Sequence, residues 1–181
     1  MNAPRPNLFY ALWPDDGTRA ELEKLQSRVH GRLTRPQNLH LTLAFLGPQP
    51  EALLPLLRSV LAHLEVAPIE LEIDRLGYFS KNRIAWAGMH ATPEPLSQLQ
   101  SMLTLELMRK GITYDSGKPF RPHITLARRA DAPSDLPLTP IRWQANHIVL
   151  AQSPLPDEQP LYRVLALQEM KADGQKTLFT D

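Results

Sequence analysis

Apolar and polar positions along this chain run in blocks whose period switches between about two and about 3.6 residues. The first block, 8–13, is apolar and aromatic and stops at Pro14, Asp15, Asp16 and Gly17, which predicts a strand and then a turn. Leu22, Leu25 and Val29 share one helical stripe, and Thr18 and Glu21 have capping-box spacing. A helix is therefore expected from about Thr18, with Gly31 as its C-terminal cap. A strand follows at 38–46, ended by Gly47 and Pro48. Leu53, Leu57, Val60, Leu61 and Leu64 predict a second helix over 51–65, and Pro55 requires that it begin close to that residue.

In the stretch 69–74, Ile69, Leu71 and Ile73 alternate with Glu70, Glu72 and Asp74, the pattern of a half-buried strand. Its expected hairpin partner is 83–89, across Ser80, Lys81 and Asn82. A third helix over 94–110 carries Leu96, Leu99, Leu103 and Leu107, with Thr92 as its cap, Pro93 at its first position and Gly111 after it. Strands are expected over 121–127, 143–152 and 161–170, with a proline-punctuated connection over 129–140 and a loose polar tail in the last ten residues. Helices interleaved with hairpins predict an α+β fold with antiparallel sheets.

Composition narrows the chemistry. The 181 residues suit one domain, or two small lobes sharing an interface. There is no cysteine, which removes disulfides, thiolate catalysis and Cys-ligated zinc. The longest apolar runs, 84–89 and 8–13, are far shorter than the roughly 18 residues of a membrane span. The opening six residues lack the layout of a secretory signal, so a cytoplasmic, monomeric protein without a membrane partner is expected. Twenty Lys and Arg balance nineteen Asp and Glu, which argues against a long duplex partner and for contact with one or a few phosphates.

One pattern stands out from this background. His40-Leu41-Thr42-Leu43-Ala44 returns as His123-Ile124-Thr125-Leu126-Ala127, 83 positions later (40 to 123). Random order would give about a third of one His-x-Thr triplet in this composition. A third triplet, His90-Ala91-Thr92, lacks the flanking leucines and is set aside, since Thr92 is read as a helix cap. Residues i and i+2 of a strand share a face, so each full copy presents an imidazole and a hydroxyl together, backed by core leucine or isoleucine.

Two imidazoles facing each other across a cleft suit proton transfer near neutrality. Transfer at a phosphodiester needs a base for the attacking group and an acid for the departing oxygen, on opposite sides of phosphorus. Threonine hydroxyls can donate to the non-bridging oxygens. The scheme requires no metal and no cofactor. A non-catalytic nucleotide-binding module and a two-histidine metal site stay open on the residues alone.

With these motifs the chain resembles the 2H phosphoesterase superfamily, and within it the bacterial RNA 2′,3′-cyclic phosphodiesterases, also called 2′-5′ RNA ligases. The likeness extends over the first strand, the segment 38–47, the strand around Arg83, Ile84, Ala85 and Trp86, and the segment 122–128. It implies a single domain over 1–181 with two similar α+β halves, each an antiparallel sheet with outer helices, and a groove between them. It implies hydrolysis of a terminal 2′,3′-cyclic phosphate on RNA to a 2′-phosphate, or 2′-5′ joining of RNA ends, tRNA fragments among them, by the reverse chemistry. By motif position His40 is the implied proton donor and His123 the proton acceptor. Thr42 and Thr125 are implied phosphate binders, and Arg128 a further phosphate contact. Strict alternation turns Arg128 away from His123 and Thr125, so its role requires a bulge.

The remaining candidates read as structural. His30 is expected at a helix C-terminus, and His63 and His147 in solvent. Arg109 and Lys110 read as a helix-end charge pair. Tyr10, Phe45 and Tyr162 read as core aromatics, Phe45 because it has the parity of the buried leucines.

Overall fold

The structure, a computed structural model, describes residues 5–134, 137–154 and 160–171; the tail expected over 172–181 lies outside these. The elements are β1 (Asn7–Leu12), α1 (Asp16–Leu25), β2 (Arg32–Leu33), β3 (Leu41–Pro48), α2 (Leu54–Ala62), β4 (Ile69–Ile73) and β5 (Arg75–Phe79). Then come β6 (Ile84–Gly88), α3 (Glu94–Arg109), β7 (His123–Arg128), β8 (Ile141–Ala145), β9 (His147–Gln152) and β10 (Arg163–Glu169). The order mixes helices with antiparallel strands, as the α+β reading expects.

Each helix buries the stripe its sequence announces. Leu22 and Leu25 of α1, Leu57, Val60 and Leu61 of α2, and the four leucines of α3 enter one core with Leu8, Tyr10 and Leu12 of β1. Tyr10 is a core residue as expected, its hydroxyl donating to the Leu57 carbonyl at 2.8 Å.

The helix ends depart from expectation. Asp15, not Thr18, caps α1: its carboxylate accepts the Thr18 N–H at 2.8 Å and the Thr18 hydroxyl at 2.9 Å. A carboxylate there also meets the positive end of the helix. The helix stops at Leu25, so His30 lies beyond it. Gly31 sits in a turn at φ +134°, where a Cβ would come within 2.9 Å of the Arg128 carbonyl oxygen. Pro55 falls in the first turn of α2, where its missing N–H has no intrahelical partner to lose. Pro93 holds the cap position of α3, which leaves Thr92 one residue too early to cap it. Arg109 and Lys110 do close that helix, both reaching Glu106.

All strand pairs are antiparallel. The main sheet runs β10-β9-β1-β3-β7-β6-β5, with β2 also on β7, and β4 pairs separately with β8. The expected hairpin is thus corrected. The turn at Ser80–Asn82 exists, but β6 pairs across it with β5, while β4 pairs from Ile69↔Ala145 to Ile73↔Ile141. Periodicity passed over β5 because Arg75–Phe79 does not alternate cleanly. Its Gly77 is needed: a Cβ there would stand 2.0 Å from the Trp86 ring of β6. The single strand expected over 143–152 is two strands broken at Asn146.

The two motif strands meet at one point. β3 and β7 pair through Leu41↔Ile124, with β1, β9 and β10 on one side and β6, β5 and β2 on the other.

Candidate active site

Leu41 and Ile124 are the middle residues of the two His-x-Thr triplets, so this one contact brings both motifs together. Antiparallel pairing across it sets His40 and Thr42 against Thr125 and His123. The two copies also share a burial pattern: histidine and threonine partly exposed, the next two residues buried, and the sixth exposed. That sixth residue is Phe45 in the first copy and Arg128 in the second.

Strict alternation would not produce this pattern; a bulge does. Between β6 and β7 the register moves from Trp86↔Thr125 to Ala85↔Ala127, leaving Leu126 unpaired on that edge. Between β1 and β3 it moves from Ala11↔Thr42 to Tyr10↔Ala44, leaving Leu43 unpaired. The bulge falls at the same motif position in each copy, and it rotates the following residue back to the groove face. Arg128 therefore joins His123 and Thr125, by the device its role requires. Phe45 is 43% exposed in the groove, so its assignment to the core is corrected for the same reason.

Both imidazoles are held by the same bond. Nδ1 of His40 donates to the Asn38 carbonyl at 2.6 Å, and Nδ1 of His123 donates to the Arg121 carbonyl at 2.7 Å, each two residues upstream. A carbonyl can only accept, so the hydrogen sits on Nδ1 and Nε2 of each neutral ring keeps a free lone pair. On His40 that lone pair receives the Thr42 hydroxyl at 3.1 Å.

The surroundings of the two rings are apolar. His40 stacks on Phe9 at 4.8 Å and on Trp13 at 5.7 Å, with Tyr162 edge-on at 5.3 Å. Phe9, Ala11, Val149 and Ala151 form a small second core beneath it. Phe79 meets His123 edge-on at 5.0 Å, and Trp86 lies at 6.2 Å. Burial lowers the pKa of His40 to about 4, with His123 and Arg128 adding repulsion. Burial and Arg128 lower that of His123 as well. Asn38, whose carbonyl orients His40, is itself fixed. Its amide donates to the Pro160 carbonyl at 2.8 Å and its oxygen accepts the Tyr162 N–H at 2.9 Å.

One cavity of about 350 Å³ is lined by His40, Thr42, His123, Thr125 and Arg128 together. All five residues singled out by the sequence thus converge. Phe45, Tyr162 and Asn38 line it too: the sequence reading places Phe45 and Tyr162 in the core and does not single out Asn38, whereas Tyr162 is half-buried against the second core with a face on the cavity, and Phe45 becomes readable once the repeat is extended to its bulge. The other histidines stay outside it. His30 and His63 are exposed, His147 is partly buried rather than solvent-facing, and His90 pairs with Asp74 at 3.1 Å. Among the described residues no three His, Asp or Glu side chains cluster as a metal site would need, and no helix is long and apolar enough to cross a membrane.

Comparison with known proteins finds chains of similar sequence and fold. A family model described as the 2′-5′ RNA ligase superfamily matches residues 14–154. The chain is 37% identical over 175 residues to the RNA 2′,3′-cyclic phosphodiesterase of Thermus thermophilus, covering 87% of each. It is 35% identical over 113 residues to the protein of that name from Escherichia coli, covering 62% of this chain and 64% of the relative. The crystal structure of Escherichia coli LigT complexed with 3′-AMP superposes with a TM-score of 0.77 at 27% identity, covering 93% of this chain and all of that one.

Proposed function

Because the chain belongs to the 2′-5′ RNA ligase superfamily, we propose that its paired imidazoles hydrolyse a 2′,3′-cyclic phosphate at an RNA end to a 2′-phosphate. The observation that carries the reading is the single cavity lined by both histidines, both threonines and Arg128. It is supported by relatives named RNA 2′,3′-cyclic phosphodiesterase and by a structural relative complexed with 3′-AMP.

Water attacks phosphorus opposite the bond to O3′, and Nε2 of His123 takes its proton. The P–O3′ bond breaks, and Nε2–H of His40 gives a proton to O3′. The products are a free 3′-hydroxyl and a 2′-phosphate. Hydroxyls of Thr42 and Thr125 and the Arg128 guanidinium bind the non-bridging oxygens, where charge grows. To act as donor, His40 must be protonated before the bond breaks, against its burial. The negative phosphate beside Nε2 opposes that effect and favours the imidazolium. The Nδ1–H bonds to the Asn38 and Arg121 carbonyls keep both rings oriented throughout.

The two proton transfers need no metal. A 5′-hydroxyl in place of water would use the same transfers to form a 2′-5′ linkage, the reaction named in the family's description. The halves on either side of Leu41↔Ile124 act as two lobes of one domain, each contributing one histidine and one threonine.

The test is a short RNA bearing a 2′,3′-cyclic phosphate, incubated with the protein in chelator and analysed for the position of the phosphate. The 2′-phosphate is the expected product. A 3′-phosphate, or no turnover, would contradict the reading.

A further inference from the structure

The cavity at the two imidazoles continues into a larger neighbour. A second cavity of about 570 Å³ shares Thr42, Phe45, Ile84 and His123 with the first. Its far wall combines two chemistries. Phe79, Tyr114 and Phe120 are half-buried and present ring surface, while Lys81, Lys118 and Arg121 are exposed around them. None of these three cations is in an ion pair among the described residues, whereas Arg19, Lys24, Arg83 and Lys110 are held by nearby carboxylates. One acid, Asp115, lines the same wall. In a chain whose net charge is only +1, three unpaired cations facing one carboxylate are a local concentration of positive charge.

A cyclic phosphate closes the 3′ end of a strand, so every other nucleotide lies on its 5′ side and must leave the catalytic cavity in one direction. The second cavity opens directly from Thr42 and His123, and its volume falls within the range of small-ligand sites. Aromatic rings with interspersed cations are the chemistry that holds unpaired bases and their phosphates without reading sequence.

We propose that this cavity is a subsite for the nucleotide on the 5′ side of the reacting end. Tyr114 and Phe120 stack on its base, and Lys81, Lys118 and Arg121 hold its phosphodiester. The inference rests on the cyclic phosphodiesterase reading and deepens it: the substrate class is a single-stranded oligonucleotide end, in preference to a free 2′,3′-cyclic mononucleotide.

The experiment compares kcat/KM for a 2′,3′-cyclic mononucleotide with that for a trinucleotide ending in the same group, in the parent enzyme and in the Lys81→Ala/Lys118→Ala variant. The parent is expected to favour the trinucleotide by about tenfold or more, and the double variant to lose most of that ratio. The salt dependence of the trinucleotide reaction should weaken in the variant, because two phosphate contacts are gone. Lys118→Glu should lower the ratio further. Equal rates on both substrates in the parent, or an unchanged ratio in the variants, would overturn the subsite alone. Hydrolysis of neither substrate by the parent would overturn the reading on which it rests.

Discussion

His40 is neutral at pH 7 in the protein alone, since burial among Phe9, Trp13 and Tyr162 takes its pKa to about 4. A proton donor must hold its proton at working pH, so the donor role depends on the phosphate raising that value. NMR titration of the His40 ring with and without a non-hydrolysable analogue of a nucleoside 2′,3′-cyclic phosphate checks this. The expected result is a rise of about two units or more on binding, so that the ring is at least half protonated near pH 6. A His40 ring that stays neutral near pH 6 in the complex, while His123 is protonated, would exchange the two roles. Phe45 is the second residue on which the groove depends. Phe45→Ala removes an exposed ring next to Thr42 and is expected to raise KM several-fold with a smaller change in kcat; parent-like KM would remove it from the substrate-binding wall. The histidines and threonines were readable because their spacing is tied to strand geometry. Phe45 was misjudged because parity counting assumes a strand without bulges.

At the level of elements, the bulges are what bring Phe45 and Arg128 onto the groove face, and each motif strand is clamped by a buried glutamine. The Gln26 amide donates to the Leu126 carbonyl at 2.8 Å and the Thr34 carbonyl at 2.7 Å; that of Gln49 donates to the Leu46 carbonyl, at a second bulge in β3, at 2.7 Å. Gln26→Ala removes a donor from the Thr34 carbonyl and leaves the Leu126 carbonyl with the Thr34 N–H at 2.8 Å, for which a loss of about 1 kcal/mol is expected in urea denaturation. A fall in activity beyond the effect of unfolding should accompany it, because Leu126 precedes Arg128 by two residues. Unchanged stability would show that the clamp is unimportant. Gly77 makes room for the Trp86 ring near His123, so Gly77→Ala should shift tryptophan fluorescence and lower activity together. The helices were legible from their leucine stripes. The β4–β8 pair was not, because two alternating strands do not say which partner each will take, and these lie about seventy residues apart.

For the molecule as a whole, the desolvated neutral His40 ties stability to pH. Unfolded, His40 titrates near 6.5; folded, near 4. Above 6.5 neither state binds the proton. Between 6.5 and 4 the unfolded chain binds it and the folded protein does not, so stability declines as pH falls through that window. The decline from this residue is about 3 kcal/mol across the window, with His123 acting in the same direction. Urea midpoints at pH 7.5 and 4.5 should differ less in His40→Phe than in the parent, and an equal difference would refute the burial argument. The α+β class was legible from the interleaving of helical and alternating segments, and the meeting of two distant motifs from the repeat. That they meet through the single pair Leu41↔Ile124 was not, because period and composition carry no information about which strands become neighbours. The most direct test of two imidazoles acting on one phosphorus is single-turnover hydrolysis of a cyclic-phosphate oligonucleotide by His40→Ala, His123→Ala and the double variant. Each single replacement should slow the reaction by about 10²–10⁴-fold, and the double little more than either, because the pair works as a unit. A single variant that keeps the parent's rate would contradict the account.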